Sequence, residues 1–247
     1  EVDRARHYAR CVTTPLDLIA DWPVPAASAA VVGKSGVLAD YGDTARAYRL
    51  ASVTKPLVAR AAQIAVEEGV IDLDSPAGPP GATIRHLLSH ASGLSMHSAE
   101  TMAEPGSRRV YSNYGFGVLA QTIESNSGIE FGRYLSEAIF EPLGMTASRL
   151  DGGAAAAGFG VVSTVADLTA FAADLLEPRT VSAQMHARAT SVQFPGLTGV
   201  RPGFGVQRPG QDSPCRIPAT PCSDPRGRQA GDDADETPGG RGNRAVD

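Results

Sequence analysis

A run of small and branched apolar residues at helical spacing, Leu57, Val58, Ala61, Ala62, Ile64 and Ala65, stands directly behind the polar tetrapeptide Ser52-Val53-Thr54-Lys55. Such spacing assigns the apolar residues to one face of a helix, and Gly69, just beyond Glu67 and Glu68, supplies its stop. A hydroxyl and an amine are therefore forced onto the opening turn of a helix whose body belongs in the core. Ser52 and Lys55 then lie about one turn apart, with Cβ atoms roughly 5–6 Å from each other. The unpaired N–H groups and positive dipole end of that turn favour a developing oxyanion and disfavour an ammonium. This pushes the lysine toward a neutral amine that can take the serine proton. Pro56 is compatible, because the first turn of a helix tolerates proline. Read without its surroundings, the tetrapeptide is more often a capping serine beside a surface lysine. Lys55 and Lys34 are the only lysines; every other basic side chain is arginine.

The rest of the chain reads as mixed α and β. The first twenty residues suggest a helix broken near Pro15. Ala26 to Val32 and Val37 to Tyr41, joined across Gly33-Lys34-Ser35-Gly36, predict a β-hairpin with Lys34 in its solvated turn. Asp74 to Gly81 is a Pro/Gly-rich loop, with Asp72 and Asp74 in capping or turn roles. Thr83 is placed to cap a short helix carrying Ile84, Leu87 and Leu88 that ends by Gly93. Further helices are expected over Asn113 to Glu124, over Phe131 to Phe140 before Pro142, and from a capping box at Thr164 and Asp167 through Leu176. Phe204 to Gln207 is a candidate strand. A second polar group of interest, Tyr111-Ser112-Asn113, falls at a loop-to-helix junction. A phenol there can relay a proton and an amide can orient a substrate carbonyl.

Composition removes several classes of function. With 247 residues the chain has room for one large domain or two small ones. Its 22 basic residues against 27 acidic ones give a net charge of −5, the wrong sign for a general nucleic-acid binder. No apolar run approaches the roughly 18 residues of a membrane-spanning helix. Cys11, Cys215 and Cys222 form neither a disulfide framework nor a zinc site with matching histidines. They read as free thiols, and neither a metal nor a cofactor is expected. The chain opens Glu1-Val2-Asp3-Arg4, with no initiator Met or signal peptide. As written it reads as cytoplasmic, and as periplasmic or extracellular if a leader was removed. The sequence sets no oligomeric state.

The two polar groups gain meaning from what surrounds them. Arg49-Leu50-Ala51-Ser52-Val53-Thr54-Lys55-Pro56 resembles the nucleophile segment of the serine β-lactamase-related family, which spans class C β-lactamases, D,D-peptidases and family VIII esterases. Glu67-Glu68-Gly69-Val70-Ile71-Asp72-Leu73-Asp74 is similar to its next helix end. Ile84-Arg85-His86-Leu87-Leu88-Ser89-His90-Ala91-Ser92-Gly93-Leu94 and Pro105-Gly106 ahead of Tyr111-Ser112-Asn113-Tyr114-Gly115 follow in family order. Glu141-Pro142-Leu143-Gly144-Met145 and Val162-Ser163-Thr164-Val165-Ala166-Asp167-Leu168 match later landmarks. The resemblance runs from about Ala26 to Gln207. It implies an α/β (α+β) fold of the β-lactamase/transpeptidase-like type, an antiparallel sheet flanked by helices plus a helical subdomain. It further implies Ser52 as acylated nucleophile, Lys55 as general base, Tyr111 as proton relay, Asn113 as a substrate contact, and the Ser52 backbone N–H as half of an oxyanion hole. His86 and His90 match mainly structural positions. The implied activity is hydrolysis of a small-molecule ester, amide or β-lactam bond through an acyl-enzyme on Ser52, without cofactor, metal, nucleic acid or membrane-spanning segment.

One family feature has no counterpart. The third motif, K-T-G or the H-x-G and W-x-G variants, donates the other oxyanion N–H from a strand. After Asn113 there is no lysine, the only histidine, His186, precedes Ala187-Arg188, and the only tryptophan is Trp22. From Arg208 to Asp247 the chain carries no aromatic or leucine, and Pro, Gly, Arg and Asp dominate. Such a segment buries too little apolar surface to offset the entropy of ordering it. The expected organisation is a β-lactamase-like domain over 1–207, with sheet parts at 1–50 and about 195–207 and a helical part at about 51–194. A low-complexity, disordered tail over 208–247 follows, read as an off-frame segment standing where the C-terminal strands belong. The missing motif makes β-lactam turnover a poorer fit than ester hydrolysis, Arg201 having no evident place as a substitute. The alternative from another class is a catalytically impaired or inactive truncated relative that at most binds penicillin-like ligands.

Overall fold

A computed structural model of the chain describes residues 15–197. The expectations for residues 1–14, for the Phe204 to Gln207 strand and for the tail, together with Arg201 and all three cysteines, lie outside the described residues. The chain enters as a 3-10 helix, Pro15–Asp21, with Ile19 turned inward.

Strands β1 (Ala29–Gly33) and β2 (Gly36–Tyr41) form the expected antiparallel hairpin, closing on the Gly33–Gly36 pair with Lys34 and Ser35 exposed in the turn. A bulge between Val31 and Val32 shifts its register. Strand β3 (Ala47–Arg49) belongs to a second antiparallel sheet of order β3-β5-β4, with β4 at Arg149–Leu150 and β5 at Val161–Thr164. Strands β4 and β5 fall inside the stretch that the sequence marks as helical. They are two and four residues long, too short to show a period of two. All four residues of β5 are buried.

Helix α1 (Thr54–Glu67) is the centre of the molecule. Leu57, Val58, Ala59, Ala61, Ala62 and Ala65 are all buried, as are Arg60 and Gln63. A helix buried on nearly every side is a core helix rather than an amphipathic surface one. It packs against α3 (Asn113–Ser127), α4 (Phe131–Leu135) and α7 (Ala183–Ala189). Glu68 is its C-cap and Gly69 takes the left-handed φ of +74°, so the expected stop holds. Helix α2 (Ile84–Leu88) begins at Thr83, and the partner closing its capping box is the His86 side chain, whose Nδ1 accepts the Thr83 N–H at 3.2 Å.

Two helix expectations change in detail. The helix opened by Phe131 does not stop before Pro142: α4 continues into a π-helical segment, Ser136–Phe140, and then into α5 (Glu141–Leu143). A proline inside a helix clashes with the carbonyl four residues back. The widened turn, in which the Glu141 N–H reaches Ser136 O, makes the room Pro142 requires. Helix α6 (Val165–Leu176) starts at Thr164, whose side chain accepts the Asp167 N–H. The reciprocal half of that capping box is missing, because the Asp167 carboxylate instead accepts the Ala147 N–H and the Ser148 hydroxyl. Helix α6 lies against β1 and β2, so helices flank the strands as expected.

The core includes one ion pair. Arg60, 1% exposed, sits 3.2 Å from the carboxylate of Asp174, which is fully buried at the end of α6. The second guanidinium nitrogen group reaches Gln63 Oε1, and Asp174 also accepts the Arg179 and Thr180 N–H groups. A buried charge is tolerated when it is paired and hydrogen-bonded in this way.

The loop between α2 and α3 doubles back on itself through a bridge between Leu94 and Thr101. Gly93 makes this possible: at φ +81°, a Cβ built on it would stand 1.8 Å from Ala103 O. The loop's carbonyls in turn hold the start of α3, with the Asn113 and Tyr114 N–H groups donating to Met96 O and the Ser112 hydroxyl to Ser95 O. Gly93→Ala is expected to lower unfolding free energy by more than about 2 kcal/mol, since the clash is with backbone and the φ is unfavourable. Chemical denaturation of both proteins checks this, and an unchanged midpoint would contradict the close approach.

Candidate active site

Three segments distant in sequence converge at the N-terminal end of α1. Leu50 donates its N–H to Val161 O at 2.8 Å, and Val161 returns its own N–H to the Thr54 hydroxyl at 3.0 Å. These bonds fasten the turn carrying Ser52 to β5. Ser52 lies in a 3-10 turn, Ala51–Val53, that precedes α1, and Ala51 holds a left-handed φ of +45°. That conformation is costly for a residue with a Cβ and is found mostly at functional turns. Ser52 is exposed while Lys55 is only 4% exposed. The second segment is the start of α3, capped by Ser112, which brings Tyr111 and Asn113 to the same place. The third is the short stretch before β5, which contributes Gly158.

The geometry joins all four residues expected from sequence. Tyr111 donates its hydroxyl to Ser52 Oγ at 2.7 Å. Lys55 Nζ is 3.4 Å from Ser52 Oγ, 2.5 Å from Asn113 Oδ1 and 2.7 Å from Gly158 O. It also lies 4.4 Å from the centre of the Tyr111 ring. The partners of Lys55 are unequal. An amide oxygen and a backbone carbonyl only accept, so each takes one N–H of the amine. A neutral amine has two N–H bonds and one lone pair, and the lone pair then remains for the third partner. Ser52 Oγ, already accepting from Tyr111, has its own proton free to donate to that lone pair.

Electrostatics favour this protonation state. Burial lowers the Lys55 pKa from 10.5 to about 7, because a low-dielectric surround penalises the ammonium. Between about pH 7 and 10.5 the folded chain therefore holds fewer protons here than the unfolded one. The stability this group contributes is largest above that window and is lost as pH falls through it. Burial raises the Tyr111 pKa, and the hydrogen bond to Ser52 partly opposes this, so Tyr111 stays a protonated phenol at neutral pH. His90 is pushed down to about 3, first by burial and then by the charges of Lys55 and Arg109, and is a neutral imidazole.

Gly158 carries no signal in the sequence beyond its place before Val161-Val162-Ser163-Thr164. A Cβ there would meet the Asn113 Cα at 3.0 Å and its Cβ at 3.1 Å, so only glycine lets this backbone approach close enough for its carbonyl to reach Lys55. Asn113 spends its oxygen on Lys55, leaving the NH2 as the part that can face a substrate carbonyl. His86 serves the α2 cap, Asp72 Oδ1 accepts the Asp74 N–H, and Asp74 pairs with Arg85 at 2.8 Å. Among the described residues no cluster of His, Cys, Asp and Glu is arranged to hold a metal ion, and no helix is long and apolar enough to cross a membrane.

The family model described as Beta-lactamase matches residues 18–227. A beta-lactamase from Mycobacterium bovis, known from its crystal structure, is 67% identical with a TM-score of 0.76, over 78% of this chain and 74% of that one. Penicillin-binding protein 4* of Bacillus subtilis is 29% identical over an alignment of 136 residues, and the match covers 42% of this chain and 30% of that protein. The chain thus matches less than a third of this curated relative's length. A D-amino acid amidase from Ochrobactrum anthropi, 21% identical with a TM-score of 0.64 over 76% of this chain and 77% of that one, shares the fold.

If the free lone pair of Lys55 governs the reactivity of Ser52, labelling by a fluorophosphonate probe should rise about tenfold per pH unit up to a midpoint near 7 and level off above it. Lys55→Ala should remove that step and slow labelling by roughly 10²–10⁴ at pH 8. Rate against pH, read by gel fluorescence, checks both.

Proposed function

The chain belongs to the beta-lactamase family and has its β-lactamase/transpeptidase-like fold, and on that premise we propose that it is a serine hydrolase acting on an ester or amide bond, β-lactam or D-amino-acyl bonds included, through an acyl-enzyme on Ser52. The observation that carries this reading is the set of neighbours around Lys55 Nζ: two acceptor-only oxygens, Asn113 Oδ1 and Gly158 O, at 2.5 and 2.7 Å, and Ser52 Oγ at 3.4 Å, the only one of the three with a hydrogen that an unprotonated amine can take.

The steps follow from the proton positions. Ser52 Oγ attacks the substrate carbonyl carbon as its proton passes to Lys55 Nζ, forming a C–O bond while the carbonyl π-electrons move to oxygen. The oxyanion is stabilised by the Ser52 backbone N–H at the start of the helical segment. The carbonyl re-forms, the bond to the leaving alkoxide or amine breaks, and Tyr111 gives that group its hydroxyl proton. The Lys55 ammonium, with Nζ 4.4 Å from the centre of the Tyr111 ring, then returns its extra proton to the phenolate, which restores both groups for deacylation. Deacylation repeats the sequence with water as nucleophile and Ser52 Oγ as leaving group. Asn113 NH2 is placed to hold the substrate's own carbonyl or amide. The Bacillus subtilis relative is named as a penicillin-binding protein and the Ochrobactrum anthropi protein as a D-amino acid amidase. Both names are compatible with an acyl group passing through the nucleophile of such a site.

Intact mass after incubation with penicillin should show one added ligand on the wild type and none on Ser52→Ala. A short-chain nitrophenyl ester and a chromogenic cephalosporin should then report release. Turnover that vanishes in Ser52→Ala supports the hydrolase; a stable adduct without turnover supports the impaired, penicillin-binding alternative. Modification or turnover that persists in Ser52→Ala overturns both.

A further inference from the structure

His90 is not needed for the proton transfers above, yet its side chain is built into the same site. Its backbone is already satisfied: the N–H donates to Leu87 O at 3.2 Å and the carbonyl accepts from Val110 at 2.9 Å. It is held at φ +55°, a conformation that only a strongly determined site imposes on a residue with a Cβ. The effect is to turn the imidazole under the residues that follow Val110. Nδ1 accepts the backbone N–H of Ser112 at 3.2 Å, the peptide link between Tyr111 and Asn113. The ring centre is 4.5 Å from that of Tyr111 and 5.3 Å from that of Phe116, tilted 34° and 39°. The phenol of Tyr111 is otherwise held by its hydroxyl and by Lys55 Nζ 4.4 Å from its ring centre, and the residue remains 44% exposed.

Resting on the function proposed above, we propose that His90 is the positioning residue for Tyr111: its neutral imidazole accepts the Ser112 N–H through Nδ1 and braces the phenol ring, and together these set where Tyr111 Oη stands over Ser52 Oγ. Nδ1 is the bare nitrogen and Nε2 carries the hydrogen. The low pKa of His90 agrees with this, since a protonated ring would lose the acceptor. The brace makes no hydrogen bond to Lys55 or to its two oxygens, so its loss is expected to act first through Tyr111.

Three variants separate the two contacts. His90→Asn places an amide oxygen near the position of Nδ1 and tolerates the left-handed φ, keeping the acceptor and losing the ring. His90→Phe keeps the ring and loses the acceptor. Tyr111→Phe completes a double-mutant cycle with His90→Phe. In hydrogen exchange, the Ser112 amide should be protected in the wild type and in His90→Asn and at least tenfold less protected in His90→Phe. Fluorophosphonate labelling of Ser52, measured per folded molecule well below each melting temperature, should fall about tenfold or more in His90→Phe, which loses the acceptor, and by a smaller factor in His90→Asn, which loses only the ring. Adding Tyr111→Phe to His90→Phe should cost little more than Tyr111→Phe alone. Equal exchange of the Ser112 amide in all proteins, unchanged labelling of folded His90→Phe, or additive losses in the cycle each overturn the proposal. Imidazole 15N spectra of the wild type decide it even if His90→Phe does not fold, because a hydrogen on Nδ1 excludes the bond. A wild type whose Ser112 amide depends on His90 but whose Ser52 never labels would break the proposed function and leave the positioning contact standing.

Discussion

An amine without room for its usual hydration is the constraint on which the site depends. Lys55 Nζ sits between Asn113 Oδ1 and Gly158 O with Ser52 Oγ as its third neighbour. Those partners come from the start of α1, the start of α3 and the turn before β5, so these three segments cannot be separated without leaving a buried amine unpaired. A buried unpaired polar group costs more than a single contact is worth. The local features around it follow from that requirement. Thr54 and Leu50 tie the turn to Val161, Ser112 caps α3, and Gly158 yields the space a side chain would take.

Depriving the amine of water also gives it its chemistry. The desolvation that moves Lys55 to about 7 disfavours its charge near neutrality, and the same enclosure holds Tyr111 protonated. The site thus pairs a group ready to receive a proton with one ready to give a proton, on opposite sides of one hydroxyl. This follows from environment rather than residue type, since free lysine and tyrosine titrate near each other. The neutral His90 belongs to the same pattern. Near a lysine and an arginine it bears no charge, and its nitrogen can accept from a backbone amide.

A buried ion pair explains how α1 is kept in place. Arg60 lies on the same helix as Lys55 and is held by Asp174, Gln63 and the end of α6. Ion pairs of this kind contribute little net stability compared with apolar packing, and breaking one by removing a partner is costly. Here the pair links the helix that carries the proposed nucleophile to the helix that covers the β1–β2 hairpin. Glu67, at the other end of α1, accepts from the backbone and hydroxyl of Ser182 at the start of α7. The helix is thus fastened by polar contacts at its middle and at its C-terminal end.

The sequence by itself determined the local elements and singled out the candidate reacting groups. The hairpin around Lys34, the cap at Thr83, the stop at Gly69 and the helix behind Ser52 are each encoded by residues that touch their own neighbours in the chain. Ser52, Lys55, Tyr111 and Asn113 could be named because their motifs are short and contiguous. Strands β4 and β5, the ion pair of Arg60 with Asp174 and the role of Gly158 were not legible, since each depends on residues far apart in the chain. Tertiary structure alone decided that Asn113 spends its oxygen on Lys55, that Asp167 turns away from its own helix start, and that His90 faces the Ser112 amide. The physical reason is that protonation and hydrogen-bond partners are set by what excludes water from a group, and that enclosure exists only once the chain has folded.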